Sequence, residues 1–293
     1  MQGRGLVTID WGTTNRRIFL LDGDGVVARR EADSRGVTAI PPGGFPAEMA
    51  DLRARFGDVP FLLAGMIGSN RGWAEARYLS CPATLEALGE ALLWVEPGRT
   101  AIVPGVCVDG DRADVMRGEE VQLLGAVAAG LVAPDALLCL PGTHAKWARV
   151  ERGRLAGFRT VMTGEMFALL RNHSLLAPQL SYEVADGRAF RDGVNQGLED
   201  GALLSDLFGT RARILLGRMR PEDAASYVSG LLLGADLRIG IEGAPDGPIG
   251  LIGDPALTRL YGAALDECGR LHQEVDGEQA FLAGMNIIAK GLG

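Results

Sequence analysis

Short apolar runs separated by small polar turns open the chain. Leu6-Val7-Thr8-Ile9 runs into Asp10, Trp11-Gly12-Thr13-Thr14-Asn15 turns, and Arg16 to Leu21 resumes the apolar alternation. After Asp22-Gly23-Asp24-Gly25, Val26 to Glu31 reads as a third strand, so the opening predicts an antiparallel meander. Pro46 to Phe56 predicts a helix and Val59 to Ala64 a buried strand. That strand runs straight into Gly65-Met66-Ile67-Gly68-Ser69-Asn70-Arg71-Gly72-Trp73, a loop too glycine-rich and polar for a core. A helix near Leu85 to Leu92 and a strand at Thr100 to Val103 follow. Pro104 to Asp114 combines Pro, Gly and Asp with no period, which predicts a domain boundary, with an N-terminal domain over 1–107 and a C-terminal domain over 108–293.

In the second part Val121, Leu124 and Ala128 recur at helical steps within Glu119 to Leu131. Ala136 to Leu140 reads as a strand, Pro141-Gly142-Thr143-His144 as a turn, and Lys146 to Val150 and Phe158 to Val161 as further strands. This strand, turn and strand echoes the opening hairpin and suggests a duplicated architecture. Thr163 is placed as the N-cap of a helix reaching Asn172. Pro221 suits a first helical turn, with Ala224, Val228, Leu231, Leu232 and Ala235 as the apolar stripe behind it. Gly230 and Gly234 lie one turn apart in that stripe, each costing ~1 kcal/mol relative to alanine, so a close backbone or ligand approach is expected there. Ile249 to Ile252 predicts a strand, Gly253-Asp254-Pro255 a turn and Leu257 to Glu267 a helix. Asp276 with Gln279 opens a last helix, closed by Gly291, that can pack back toward the N-terminal domain.

Composition narrows the classes. With 47% hydrophobic and 23% charged residues, a chain of 293 can bury a full core without staples. An excess of 37 acidic over 29 basic residues gives a net charge of −8, which speaks against nucleic-acid and anionic-membrane partners while leaving room for a local basic pocket. The 42 glycines are about twice the usual share of ~7%. They fall between apolar runs, as tight loops that bring backbone close to a ligand would. Cys81, Cys107, Cys139 and Cys268 are widely spaced with no C-x-x-C pair, the usage of a reducing cytoplasm. The apolar stretch from Leu123 to Leu140 is broken by Pro134-Asp135, so it reads as helix, turn and strand rather than a membrane span. Asp10 arrives before a signal-peptide apolar region could form. The expectation is a cytoplasmic protein.

Phosphate chemistry is the most legible. The P-loop pattern is absent, and Gly23-Asp24-Gly25-Val26-Val27-Ala28 precedes a strand-like segment instead of the helix a dinucleotide site requires. Asp10 at a strand end, followed by Gly12, Thr13 and Thr14, offers a carboxylate for hydrated Mg²⁺, close backbone N–H groups and hydroxyl donors. An ordinary capped β-turn would give the same string. The second loop, Leu140 to Trp147, repeats the strand, small polar turn and strand, and two such hairpins facing each other across a cleft would clamp a triphosphate.

The strings IDWGTTNRRIFLLD, AGMIGSNRGW, YLSCPA, VMRGEE, PGTHAKW, RTVMTGE and SGLLLGA occur in that order. Together, over about residues 5 to 290, the chain resembles the 2-dehydro-3-deoxygalactonokinase family of the sugar kinase, heat-shock ATPase and actin superfamily. The resemblance implies an α/β fold of two ribonuclease-H-like (actin-like ATPase) domains, each with a mixed sheet, holding ATP and substrate in the cleft between them. It implies transfer of the γ-phosphoryl group of ATP, with Mg²⁺, to the C6 hydroxyl of 2-dehydro-3-deoxy-D-galactonate. On that pattern Asp10 positions Mg²⁺ through water, Gly12, Thr13 and Thr14 line the β- and γ-phosphates, and Gly142 and Thr143 form the second phosphate loop. Lys146 is either a counter-charge or a solvated surface group. Gly253 resembles the adenosine region, although Ile252-Gly253-Asp254-Pro255 departs from the superfamily's glycine pair.

The resemblance also implies a general base: in many sugar kinases of this superfamily it is an acid after a glycine that opens the helix before the second phosphate hairpin, the place Glu119 holds here after Gly118. A helix N-terminus favours its ionised form, but Glu119 and Glu120 would equally complement the helix dipole; Glu120 and Asp10 are the reserve candidates. The substrate carboxylate needs a cation. Arg71 and Arg117 stand in the family-specific loops, and an arginine fork suits a planar carboxylate, while either could instead form a structural salt bridge. Ser69 and Asn70 could bond sugar hydroxyls. His144 reads as a turn residue in preference to a phosphate-loop donor, and Trp11 and Trp73 as packing, cleft walls or sugar platforms.

A glycosidase reading pairs Glu119 or Glu120 with Glu165 but leaves the Gly-Thr hairpins unexplained. Another sugar or sugar-acid kinase on the same fold, or a non-enzymatic ATP-binding regulator, remains the alternative. Oligomeric state rests only on frequency among soluble enzymes, which favours a homodimer.

Overall fold

The computed structural model describes residues 5–199, 201–244 and 246–292. The opening alternation forms the predicted meander: β1 (Leu6–Trp11), β2 (Arg16–Leu21) and β3 (Val27–Asp33), each antiparallel to the next. Helix α1 (Phe45–Phe56) then crosses over to β4 (Phe61–Gly65), which pairs parallel to β1. Next come β5 (Tyr78–Ser80), α2 (Leu85–Glu90), β6 (Leu93–Glu96), β7 (Thr100–Ile102), β8 (Gly105–Val108), β9 (Asp114–Met116) and α3 (Glu119–Ala128). The resulting six-stranded mixed sheet has the order β3-β2-β1-β4-β7-β6. Its central strand β4 is buried at every residue, as expected for a strand covered on both faces, whereas every residue of the edge strand β3 is exposed or only partly buried. Phe45, Met49, Leu52 and Phe56, at helical spacing on α1, share one core cluster with Val7, Ile9, Phe61 and Leu63.

The second part adds β10 (Ala136–Leu140), β11 (Ala145–Glu151), β12 (Arg154–Val161), α4 (Thr163–His173), α5 (Arg188–Leu198), α6 (Leu203–Leu215), α7 (Ala224–Gly240), β13 (Ile249–Ile252), α8 (Pro255–Glu267), β14 (His272–Val275) and α9 (Gly277–Ile288). Its five-stranded sheet runs β12-β11-β10-β13-β14, with β10, β13 and β14 parallel. This order repeats β3-β2-β1-β4-β7 of the first sheet, so each sheet is a ribonuclease-H-like meander followed by parallel crossovers.

The chain divides into two compact units. One comprises the chain up to Pro134, Val150–Gly157 and the chain from Gly277 on; the other comprises Asp135–Arg149 and Phe158–Asp276. The division therefore falls at Pro134–Asp135 and not at the 107/108 boundary that the sequence predicts. Two contacts explain the shift. The Pro104–Asp114 stretch is ordered, because β8 and β9 join β5 in a three-stranded sheet. Helix α3 packs on α9 so closely that a Cβ on Gly125 would lie 1.9 Å from the Ala280 carbonyl.

Close backbone approach also explains the glycines of α7. A Cβ on Gly230 or Gly234 would meet the carbonyls of Phe190 and Val194 on α5 at 2.0 and 2.2 Å. The expected ligand-or-backbone alternative thus resolves to helix–helix packing inside the second unit. One cap differs from expectation: Met162 is the N-cap of α4 and Thr163 is its first helical residue, because the Thr163 hydroxyl is used elsewhere.

Candidate nucleotide and sugar-acid site

In open α/β sheets ligands bind outside the carboxyl ends of the strands, where the strand order reverses. In the first unit that point lies between β1 and β4, which pair Trp11 with Gly65. Asp10 is the penultimate residue of β1 and pairs across the hairpin with Arg17, whose guanidinium meets its carboxylate at 2.5 Å. The turn from Gly12 to Asn15 follows, closed by the Gly12 N–H donating to the Asn15 carbonyl at 2.9 Å. Thr13, Thr14 and Asn15 are exposed. A second segment holds this turn from behind: the N–H groups of Gly36, Val37 and Thr38 donate to the carbonyls of Thr14, Gly12 and Thr13. Gly36 is obligatory there, since a Cβ would lie 2.3 Å from the Thr13 carbonyl.

Beneath the hairpin, Arg16 is fully buried. It lies 4.9 Å over the Trp11 ring, forms two-pronged hydrogen bonds to Asp33 and meets the Glu48 carboxylate at 2.7 Å. Trp11 itself is a core residue, its indole N–H donating to the Arg35 carbonyl, so it is not a sugar platform.

At the end of β4 the loop folds on itself. The Ser69 hydroxyl donates to the Met66 carbonyl at 2.7 Å and accepts from the Arg71 N–H at 3.2 Å, while Trp73 and Ala76 donate back to Ile67 and Gly68. Asn70 and Arg71 are exposed at its tip. Arg117 is buried under the same loop, stacked 4.3 Å from the Tyr78 ring, with one guanidinium nitrogen donating to the Ala76 carbonyl at 2.6 Å. Among the described residues nothing accepts from its Nε and Nη1, although both are buried. Among the described residues Arg117 forms no salt bridge.

Gly118, at φ +107, brings the start of α3 against β4, since a Cβ there would lie 3.0 Å from the Gly65 Cα. The two glutamates then divide. Glu119 is partly exposed, and its Oε2 accepts from the Arg117 N–H at 3.1 Å. Glu120 is fully buried, with Oε2 accepting from the Gly118 N–H at 2.7 Å and Oε1 unpartnered among the described residues. Burial, reinforced by the Glu119 charge, pushes the Glu120 carboxyl up to about 8. The folded protein therefore holds this proton more tightly than the unfolded chain, whose carboxyl titrates near 4.5. Stability is lost as pH rises between those values and is level above the higher one. Glu120→Gln, which keeps the acceptor for Gly118, is expected to gain stability relative to the parent between pH 5 and pH 8. At ~1.4 kcal/mol per pKa unit, urea denaturation at the two pH values resolves this, and a difference that does not change with pH would refute it.

The second unit presents the corresponding ends of β10 and β13. The turn Pro141 to His144 is braced by α4: the Glu165 N–H donates to the Thr143 carbonyl at 2.9 Å, and the Glu165 carboxylate meets His144 at 2.5 Å. Gly253 is exposed at the end of β13, next to Pro141, and Asp254 caps α8 by accepting from the Ala256 N–H at 2.8 Å. Lys146 is not a solvated charge. It is buried on β11 and donates to the Thr160 hydroxyl at 2.8 Å.

A cavity of about 230 Å³ opens beside Gly142, walled by Gly164 and Phe167 of α4, Leu232 and Leu233 of α7, and Leu257 and Tyr261 of α8. Behind it lies Asp236, which the sequence reading passed over. This buried carboxylate accepts from the indole of Trp147 at 2.7 Å, the hydroxyl of Thr163 at 2.6 Å and the Tyr261 hydroxyl. Burial raises its pKa, opposed by these three donors. An acid alone in an apolar helix stripe was the available signal, because such a residue is rarely buried without partners. In Asp236→Asn an amide N–H₂ faces hydroxyl donors, and hydrogen bonds to a charged group are worth ~1.5–3 kcal/mol. A loss of about 2 kcal/mol in urea denaturation is expected; Tyr261→Phe, which removes a single donor, should cost less.

Two ribonuclease-H-like units, each ending its first hairpin in a small polar loop beside a parallel strand, define an α/β protein with a duplicated mixed-sheet architecture. The profile of the 2-keto-3-deoxy-galactonokinase family matches residues 10–288. The chain is 39% identical to the 2-dehydro-3-deoxygalactonokinase of Escherichia coli, over 97% of each chain. It also resembles the crystal structure of a Sinorhizobium meliloti protein provisionally described under that name, with a TM-score of 0.90 and 35% identity over 97% of this chain and 98% of that one. Component A of the Acidaminococcus fermentans (R)-2-hydroxyglutaryl-CoA dehydratase shares only the fold, at a TM-score of 0.53 and 13% identity. The chain belongs to the 2-keto-3-deoxy-galactonokinase family. No helix among the described residues is long and apolar enough to cross a membrane.

Proposed function

We propose that this protein transfers the γ-phosphoryl group of ATP to the C6 hydroxyl of 2-dehydro-3-deoxy-D-galactonate. Family membership supports the reaction. The observation that carries the residue assignment is the meeting, at the ends of β1 and β4, of the Gly12–Asn15 turn, the Ser69–Arg71 loop and the α3 N-terminus. Glu119 accepts the C6 hydroxyl proton as that oxygen bonds to the γ-phosphorus and the bond to the ADP oxygen breaks. Arg117 supplies the cation for the substrate carboxylate: a buried guanidinium with two idle nitrogens is completed by a planar anion. Asn70 and Arg71 address the sugar-acid hydroxyls from the exposed tip. Ser69 shapes the loop, since its hydroxyl already serves Met66 and Arg71.

Gly12, Thr13 and Thr14 line one side of the phosphates, and Gly142 and Thr143 belong to a second phosphate loop. Gly253 and the cavity beside Gly142 take the nucleoside, whose base suits an apolar lining. Lys146, committed to Thr160, is left outside this set. The fit for Mg²⁺ is to a hydrated ion. No group of three or more metal-ligating side chains exists among the described residues, but Asp10 supplies one hard carboxylate at the phosphate turn, and Mg²⁺ usually combines one or two carboxylates with waters and substrate phosphates. Such an ion would neutralise phosphate charge.

The test is ADP release from Mg-ATP with 2-dehydro-3-deoxygalactonate and its gluconate epimer as parallel acceptors. Turnover that depends on the galactonate acceptor is expected. Turnover with another sugar acid alone would replace the substrate, and release without any acceptor dependence would overturn the kinase assignment.

A further inference from the structure

We infer that two copies of this chain associate about a two-fold axis crossing helix α6. On α6 the side chains of Leu204, Phe208 and Leu215 are 85%, 65% and 71% exposed. At 100° per residue they fall on one narrow stripe. Leu216 is 68% exposed, and Leu175, 71% exposed, is tied to the helix where Arg211 donates to its carbonyl at 3.2 Å. The opposite face is anchored. Leu207 packs with Leu176, Leu180 and Val228, and Thr210 is fully buried. The stripe is therefore not a displaced core face.

Two features point to a second copy as the occupant. The first is self-complementarity. An axis passing between Gly209 and Thr210, with the helices antiparallel, sets Leu204 against the partner subunit's Leu215. It also sets Phe208 against the partner subunit's Arg211, a ring–guanidinium pair. The residues nearest the axis are Phe208 and Arg211, while the small Ser205, Gly209 and Ala212 lie to one side of the stripe. A two-fold interface requires this kind of reciprocity, in which residue i faces j and j faces i.

The second feature is area. Full burial of a large apolar side chain is worth 1.5–3 kcal/mol at ~25 cal/mol/Å², or roughly 60–120 Å² each, so these five contribute ~400 Å² per copy. Interfaces are ~57% apolar, which makes this a patch of ~700 Å² per partner, near the ~800 Å² of standard-size complexes. An apolar patch of ~400 Å² is the size of the largest patch on a typical protein surface, which is often a functional one.

Sedimentation equilibrium of the full chain tests this. A dimer of twice 31.0 kDa is expected, and Leu204→Glu with Phe208→Glu should weaken it at least ~30-fold while the circular dichroism and thermal midpoint stay put. The register has its own measurement. Oxidised Leu204→Cys/Leu215→Cys should yield a covalent dimer, and Leu204→Cys alone, whose copies sit far apart along antiparallel helices, should not. A parent chain that stays monomeric at 100-micromolar concentrations overturns the inference. So does a dimer indifferent to the two glutamates, or one cross-linked as readily by Leu204→Cys alone.

Discussion

Glu119→Gln is expected to lower kcat by ~10²–10⁴, the usual worth of a positioned general base, while ATP binding survives. The change is conservative where structure matters. Glu119 opens α3, and its Oε2 accepts the Arg117 N–H; a glutamine carbonyl can accept the same bond, so the loop over Arg117 keeps its shape. What glutamine cannot do is take the C6 proton. KM for the sugar acid should therefore move little, and the loss should sit in kcat, as expected when a transition-state interaction is removed. Acceptor-dependent ADP release measures the first, and equilibrium binding of an ATP analogue the second. Undiminished turnover would pass the base role to Glu120 or Asp10. Glu120 is the poorer candidate on geometry, because its carboxyl is fully buried with one oxygen held by the Gly118 N–H.

Much of this was legible in local pattern. The meander, the two Gly-Thr turns and the strand feeding the Gly65–Trp73 loop follow from alternation and turn chemistry, which a dozen consecutive residues determine. What escaped the sequence is set by partners distant in the chain. Asp236 meets its donors across 73 and 89 residues, so neither its role nor the use of the Thr163 hydroxyl could be read from neighbours. Lys146 read as a phosphate counter-charge or a surface charge because its partner, the Thr160 hydroxyl on the neighbouring strand, lies 14 residues away. The boundary near Cys107 failed for the same reason: β8 and β9 are four and three residues long, and only their pairing with each other and with β5 makes them strands. Arg117 stands directly before Gly118 and α3, buried under the Gly65–Trp73 loop. Its burial, with two nitrogens left over, was not visible in any spacing.

Arg16→Met should destabilise the protein by about 3 kcal/mol, the low end of the range for breaking a buried ion pair. Arg16 is the first residue after the Gly12–Asn15 turn and is fully buried between Asp33 and Glu48. Methionine replaces its volume but leaves both carboxylates facing an apolar neighbour. The low end applies because Asp33 stays 30% exposed and Glu48 keeps Arg35. Burial alone would raise the Asp33 pKa, but the Arg16 side chain and the Arg35 N–H hold it below its usual value; hydrogen bonds from Arg35 and then Arg16 do the same for Glu48 against burial. The sign follows. Depressed carboxylate pKa values contribute stability above the unfolded values near 4, and that contribution is lost as pH falls through the lower folded values. The gap between parent and Arg16→Met should accordingly be full at pH 7 and narrow below pH 4, as urea denaturation at both can establish. Adding Glu48→Met should recover part of the loss, since replacing a buried ionic cluster by apolar groups is far cheaper than orphaning one member. If the double variant is no more stable than Arg16→Met, the cost lies in the packing of Arg16 on Trp11 and not in stranded charge.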